Sequence, residues 1–374
     1  MLVPVYLDYN ATAPLKPAVI DAVTAALAEV GNPSSVHRFG RLARRTVETA
    51  RAEIAALVGA APAQVVLTSG GTEANNLALN VPGRTVLVSA VEHESVLRPA
   101  REALRIPVDR NGIVDLAALD RMLAGIDGPA LVAVMLANNE TGVIQPVEEV
   151  VRIAHAYKAR VHCDAVQAAG KIRVDFTALG VDTLALSAHK LGGPQGVGAL
   201  VVADEPVLTP LLRGGGQERG RRAGTENVAA IAGFGVAAAL AAKDLDRMAE
   251  IAALRDDMET RLERILPGLP VFGRDVRRLP NTSCLAMPGV PAETQVMAFD
   301  LAGVAVSAGA ACSSGKVATS HVLAAMGVPP NIANSAIRVS AGWRSTPADF
   351  DRFVETWISL WTRLGRAERV APAA

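Results

Sequence analysis

The chain has 374 residues, 50% of them hydrophobic, and its 37 acidic and 37 basic side chains cancel. Zero formal charge offers no basic footprint for nucleic acid, and the length exceeds what one hydrophobic core usually serves, so two packed domains are expected. Cys163, Cys284 and Cys312 cannot all pair and form no CxxC motif, which argues against a disulfide scaffold and for the reducing cytoplasm.

The first ten residues, MLVPVYLDYN, read as a short strand with no basic stretch or cleavage site, so no signal peptide is expected. From about residue 50 to 205, short β-branched runs alternate with segments rich in Ala, Leu, Glu and Arg, the pattern of βαβ units. Strands are expected at 65–68, 85–89, 130–136, 161–164, 183–187 and 198–202, and helices at 74–79 and 147–159. The continuous apolar character of these strands suits a mainly parallel sheet covered on both faces, with ligands at its carboxyl ends. Arg213, Arg219, Arg221 and Arg222 gather in one stretch suited to a phosphate or a neighbouring subunit. The uncharged run 228–242 falls short of the ~20 residues of a membrane span. Gly233, Gly235 and Ala238 within it match a dinucleotide fingerprint, but the preceding sequence is helical rather than strand-like. No phosphate loop of the Walker type and no metal-ligand spacing among the histidines occurs. A charged helix is expected over 243–265, followed by mixed strands and helices. The expected domains are 15–248, and 1–14 with 249–374 as a smaller α+β unit.

Several strand ends carry polar residues that an apolar sheet does not need. Thr68-Ser69-Gly70-Gly71-Thr72-Glu73 offers backbone N–H groups and a helix dipole to a phosphate, or is an ordinary turn with Thr72 as cap. Asp164, ending a buried strand, needs a partner: a structural cation, or a protonated pyridine nitrogen such as that of pyridoxal phosphate. Lys190, in Ser187-Ala188-His189-Lys190-Leu191-Gly192-Gly193, follows another strand and suits either a solvated loop or a partly desolvated Schiff-base lysine. His93 can stack on a planar ring or simply start a helix, and the Asn138–Gly142 segment can reach a ring hydroxyl or form a turn. Cys312 lies in Ser307-Ala308-Gly309-Ala310-Ala311-Cys312-Ser313-Ser314-Gly315, small residues that suit a mobile loop and a reactive thiol, whereas Cys163 and Cys284 read as core.

In order and spacing these pieces resemble the cysteine desulfurases of the NifS/IscS kind, in the class V aminotransferase group. The resemblance also rests on Tyr6 to Thr12, Gly31 to Ser35, Gly214 to Glu218, Gly224 to Asn227 and Ser335 to Ser340, and spans nearly the whole chain. It implies an α/β fold of the aspartate-aminotransferase type (fold type I), with a seven-stranded-type sheet in the large domain. It also implies pyridoxal 5'-phosphate as cofactor, bound by Lys190. Asp164 then pairs the ring nitrogen and His93 stacks on the ring, while Gln167 and Asn139 meet the ring oxygen and the substrate region. Gly71, Thr72, Ser187 and His189 hold the phosphate, with Thr225 contributed by the other subunit of a homodimer, and Arg338 grips the substrate carboxylate. The implied reaction converts L-cysteine to L-alanine and leaves sulfur on Cys312 as a persulfide for an acceptor, such as an iron–sulfur scaffold protein. Another class V enzyme (a selenocysteine lyase or an aminotransferase) and a non-catalytic scaffold on the same fold are the rival readings.

Overall fold

The computed structural model describes residues 4–203, 208–309 and 319–365. After the short strand β1 (Val5–Tyr6) come α1 (Pro17–Ala28) and α2 (Arg38–Leu57). Seven strands follow: β2 (Val65–Thr68), β3 (Thr85–Ser89), β4 (Leu104–Ile106), β5 (Ala130–Ala133), β6 (Arg160–Asp164), β7 (Thr183–Ser187) and β8 (Gly198–Val202). They form one sheet in the order β2-β8-β7-β6-β5-β3-β4. Only β8 runs against its neighbours, so β2 points the same way as the rest. Every residue of β2, β5, β7 and β8 is buried, as expected for strands covered on both faces.

Two of these strands depart from the sequence reading. β5 ends at Ala133 rather than at 136, although Val134 and Leu136 still donate to carbonyls of β6. β4 was not expected: it is three residues long with two of them exposed, too short and too polar at the sheet edge to show a period.

The glycine pattern around Gly233 lies inside a helix, Val228–Lys243, that packs on α1 and α2. A Cβ at Gly235 would sit 2.6 Å from the Ala50 backbone, and one at Gly233 2.6 Å from Val23. The glycines therefore permit close helix packing rather than nucleotide binding. The next helix starts at Arg247 and ends at Ile265, bent 70° from the first, so the helix expected from 243 is two helices with a break. Among the described residues no single helix is long and apolar enough to cross a membrane.

A second core gathers Val5, Leu7, Phe299, Ile337, Phe353 and Trp357. It lies beneath a sheet ordered β12-β13-β10-β9, built from β9 (Val271–Phe272), β10 (Thr282–Ala286), β12 (Ser307–Ala308) and β13 (Ala336–Ser340). β1 pairs in parallel with β11 (Val304–Ala305), which joins the start of the chain to this layer. Because Asp8 then bridges Ser340 of β13, the segment after β1 crosses the carboxyl end of the large sheet. That crossing places residues 8–12 over Lys190.

Candidate active site

β2 feeds through Ser69 and Gly70 into α3 (Gly71–Leu79). Gly70 is the cap residue, at φ 155°, and no side chain caps the helix, so the reading of Thr72 as an ordinary cap does not hold. The uncapped first turn opens on a cleft of about 780 Å³ lined by Gly71, Thr72, Ser187 and His189, with Ala11 and Thr12 opposite. A Cβ at Gly71 would lie 2.9 Å from a Val166 methyl, so any larger residue would have to push that side chain aside. Free amides at a helix start, with two hydroxyl side chains beside them, make an anion cradle.

Asp164 ends β6 and is 6% exposed. Its Oδ2 accepts from Asn75 Nδ2 at 2.7 Å and its Oδ1 from the Val166 N–H at 2.9 Å. No ion pair joins it to a cation among the described residues, so the structural-cation alternative falls away. The carboxylate retains unused lone pairs with neutral neighbours. Asn75 is held in turn: its Oδ1 lies 3.0 Å from His162 Nε2, and His162 Nδ1 lies 2.9 Å from Thr183 Oγ1. Complete burial drops the His162 pKa to about 4 despite the pull of Asp164, so the ring is neutral and donates from Nε2 to the amide. Asn75 Nδ2 also donates to Ser95 Oγ at 2.8 Å, and Ser95 binds His93 Nδ1 through its backbone N–H at 3.1 Å. His93 therefore carries its proton on Nε2 when neutral. Although part of its surface is exposed, crowding by protein desolvates the ring and lowers its pKa below 6.5; Asp164 pulls it up, Lys190 further down.

Lys190 follows β7, with its amine turned inward rather than into solvent. Nζ donates to the carbonyls of Asn10 at 2.5 Å and Ala11 at 2.7 Å. Burial strips hydration from its ammonium and Arg338 adds positive charge, so its pKa falls to about 8 against the opposing pull of Asp8 and Asp164. The solvated-loop alternative is thus overturned. His189, beside it, has Nδ1 3.2 Å from Thr12 Oγ1, and burial with the charges of Lys190 and Lys171 drops its pKa to about 4. Its ring is therefore neutral near pH 7 where it lines the cleft.

Arg338 lies mid-strand in β13, only 6% exposed, which its sequence context as an ordinary surface arginine does not convey. Nη2 pairs with Asp8 at 2.7 Å and Nη1 donates to the Asn139 carbonyl at 3.1 Å, while buried Nε has no partner. Asn138 Oδ1 accepts from the Glu140 and Thr141 N–H groups, making the turn that sets Asn139 beside Arg338. Gln167 is buried, and its Nε2 donates to the Asn10 carbonyl at 2.9 Å.

Thr225 is exposed and does not line the cleft. Its loop is tied to the cradle twice. Glu218 takes a two-pronged bond from Arg51, both contacts at 2.7 Å, and accepts from the Leu67 N–H at 2.9 Å. Arg222 binds Glu73 at 2.8 Å, and Arg221 is buried with bonds to backbone carbonyls, so these two arginines of the cluster are internal ties rather than open anion ligands. Glu218 and Arg219 both have positive φ (49° and 58°), a strained conformation that the Arg51 clamp holds. Cys163 and Cys284 are fully buried, whereas Cys312 lies outside the described residues.

Asn10, Lys171, Asn75, His162 and Asp8 take no part in the sequence-based reading of the site. Asn10, Asp8 and Asn75 fall inside motif stretches, but nothing local distinguishes them from turn or helix residues. His162 lies inside the strand expected at 161–164 and Lys171 in no such stretch, and only the tertiary fold brings the two to the site.

The profile of the aminotransferase class-V family matches residues 5–353, and the chain belongs to that family. Within it the chain falls among the cysteine desulfurases. It is 42% identical over 363 residues to the cysteine desulfurase IscS of Dictyoglomus turgidum, covering 93% of this chain and 92% of the relative. It is 44% identical over 367 residues to a cysteine desulfurase of Cereibacter sphaeroides, covering 94% of each. Among solved structures, a NifS-like protein from Rickettsia africae superposes with a TM-score of 0.88 at 36% identity, covering 96% of this chain and 99% of that one. The α/β architecture is thus the NifS-like one, and the family is in general dependent on pyridoxal phosphate. The donor set fits that group: an uncapped helix start for a phosphate, a buried carboxylate without a cation, and a nearby lysine of lowered basicity.

Proposed function

We propose that this chain is a pyridoxal-phosphate-dependent cysteine desulfurase that converts L-cysteine to L-alanine and passes on the sulfur. The observation that carries the reading is Asp164: a buried carboxylate with two neutral donors and no cation paired to it among the described residues, set among the same strand ends as Lys190 and the anion cradle. Pyridoxal phosphate, when bound, supplies an aldehyde carbon for amines and a ring that takes up electrons from the substrate Cα. The amides of the α3 first turn, with Thr72, Ser187 and His189, bind its phosphate. Asp164 accepts from the ring N–H and keeps that proton in place. Gln167 Nε2 would donate to the ring oxygen, and His93 would lie beside the ring.

Arg338 binds the substrate carboxylate, exchanging Asp8 for it, in the planar geometry that guanidinium favours. Lys190, whose amine is partly neutral near pH 8, carries the proton to and from the substrate Cα. His93 holds a proton at Nε2, suited to the substrate thiol. Cys312 takes the sulfur: the substrate Cβ–S bond breaks with its electron pair left on carbon, an S–S bond forms, and carbon gains a proton. Cysteine plus a thiol thus becomes alanine plus a persulfide with no external oxidant. Thr225 is proposed to reach the phosphate of a second copy in a homodimer, and an acceptor such as an iron–sulfur scaffold protein to receive the persulfide sulfur.

Incubation of the cofactor-loaded protein with L-cysteine tests this reading. Alanine with a gain of one sulfur on Cys312 is expected, and Cys312→Ser should end alanine production under single-turnover conditions. Pyruvate as the product, or undiminished alanine from Cys312→Ser, would overturn it.

A further inference from the structure

Lys171 has no step in the proposed reaction, yet it is 7% exposed and lines a cavity of about 30 Å³ together with Lys190. Its Nζ donates to Gln167 Oε1 at 2.6 Å and to Asn10 Oδ1 at 2.8 Å. A lysine amine has only hydrogens to offer an amide oxygen, so each amide must turn its oxygen toward Lys171. For Gln167 this leaves the NH2 group facing the other way, where Nε2 donates to the Asn10 carbonyl at 2.9 Å. For Asn10 it leaves Nδ2 to reach the Asn139 carbonyl at 3.1 Å and Thr282 Oγ1 at 2.9 Å, while Asn281 Nδ2 also meets Oδ1 at 3.1 Å. The Asn10 carbonyl then receives both Gln167 and the Lys190 amine. Two N–H bonds suffice for this arrangement, so it persists whether Lys171 is charged or neutral.

We propose that Lys171 is a positioning residue for the cofactor site, fixing Gln167 with its N–H donors toward the ring oxygen. The inference rests on the reading above, which gives Gln167 its ring-oxygen contact. Without Lys171, buried Gln167 Oε1 loses its donor, and only the Asn10 carbonyl still holds the amide in the orientation that presents its N–H donors.

The test uses full-length protein, measuring pyridoxal phosphate affinity and the pH midpoint of the visible absorption of the loaded protein. Lys171→Met should weaken cofactor binding about tenfold, the scale of leaving one buried amide oxygen without a donor, and should move the midpoint. Gln167→Leu should do the same, and the double variant should be no worse than Gln167→Leu alone, because the lysine acts through the amide. Lys171→Arg, also a pure donor, should restore the wild-type midpoint. If Lys171→Met fails to fold, Lys171→Gln carries the test, with a smaller shift in the same direction and the same non-additivity. Wild-type affinity and midpoint in the Met or Gln variant, or effects that multiply in the double variant, would overturn the proposal. Wild-type protein that bound no pyridoxal phosphate would instead sink the proposed function.

Discussion

In the cofactor-free protein the Lys190 amine should lose its proton near pH 8. The cause is burial of the ammonium among the residue 8–12 crossing and β7, reinforced by Arg338. With a pKa of about 8 instead of 10.5, roughly a quarter of Lys190 amines are neutral at about pH 7.5, against roughly one in a thousand for an ordinary lysine. That gain, more than two orders of magnitude in reactive amine, is what a lysine that must capture an aldehyde at neutral pH requires. Trace labelling with acetic anhydride across a pH series, read by peptide mass spectrometry, reports the midpoint directly, and exposed Lys158 serves as the internal comparison. Arg338→Gln should raise the Lys190 midpoint by removing a like charge, and Asp164→Asn should lower it by removing an attractive one. A Lys190 curve superimposable on that of Lys158 would refute the reasoning, as would indifference to both substitutions.

Asp164→Asn should leave the phosphate cradle intact, so the variant binds pyridoxal phosphate but loses about 100-fold or more in kcat, measured at full cofactor occupancy. Arg51→Met should destabilise the protein by about 3 kcal/mol in chemical denaturation, because Glu218 stays buried without its cation; a loss under about 1 kcal/mol would show the clamp to be unimportant. Asp8→Asn should lower KM for L-cysteine by about fivefold, the worth of a partly exposed ion pair, since Arg338 no longer has to exchange a carboxylate. A rise in KM would show instead that Asp8 orients Arg338.

The large sheet was legible because its central strands are buried on both faces and read as unbroken apolar runs. β4 was not, since an edge strand with Leu104 and Arg105 exposed has no such run. The same logic separates the site residues. Asp164 and Lys190 stood out as polar groups just past apolar strands, a local contradiction that sequence displays. Arg338 alternates with Ile337 and Val339 like any solvent-facing strand residue, and only tertiary contacts, with Asp8 and the Asn139 carbonyl among them, tie up its guanidinium. Asn75, His162 and Lys171 act by holding other side chains, and such pairings join positions far apart in sequence. The Gly233 pattern misleads for a related reason: glycine serves equally where a phosphate approaches a backbone and where a helix does.

The central claim, that Lys190 is the group that takes the cofactor, is tested most directly by loading the protein with pyridoxal phosphate, reducing it with borohydride and mapping the pyridoxyl group. A single adduct on the peptide containing Lys190 is predicted. An adduct on the peptide containing Lys171, or none on either, would contradict the account.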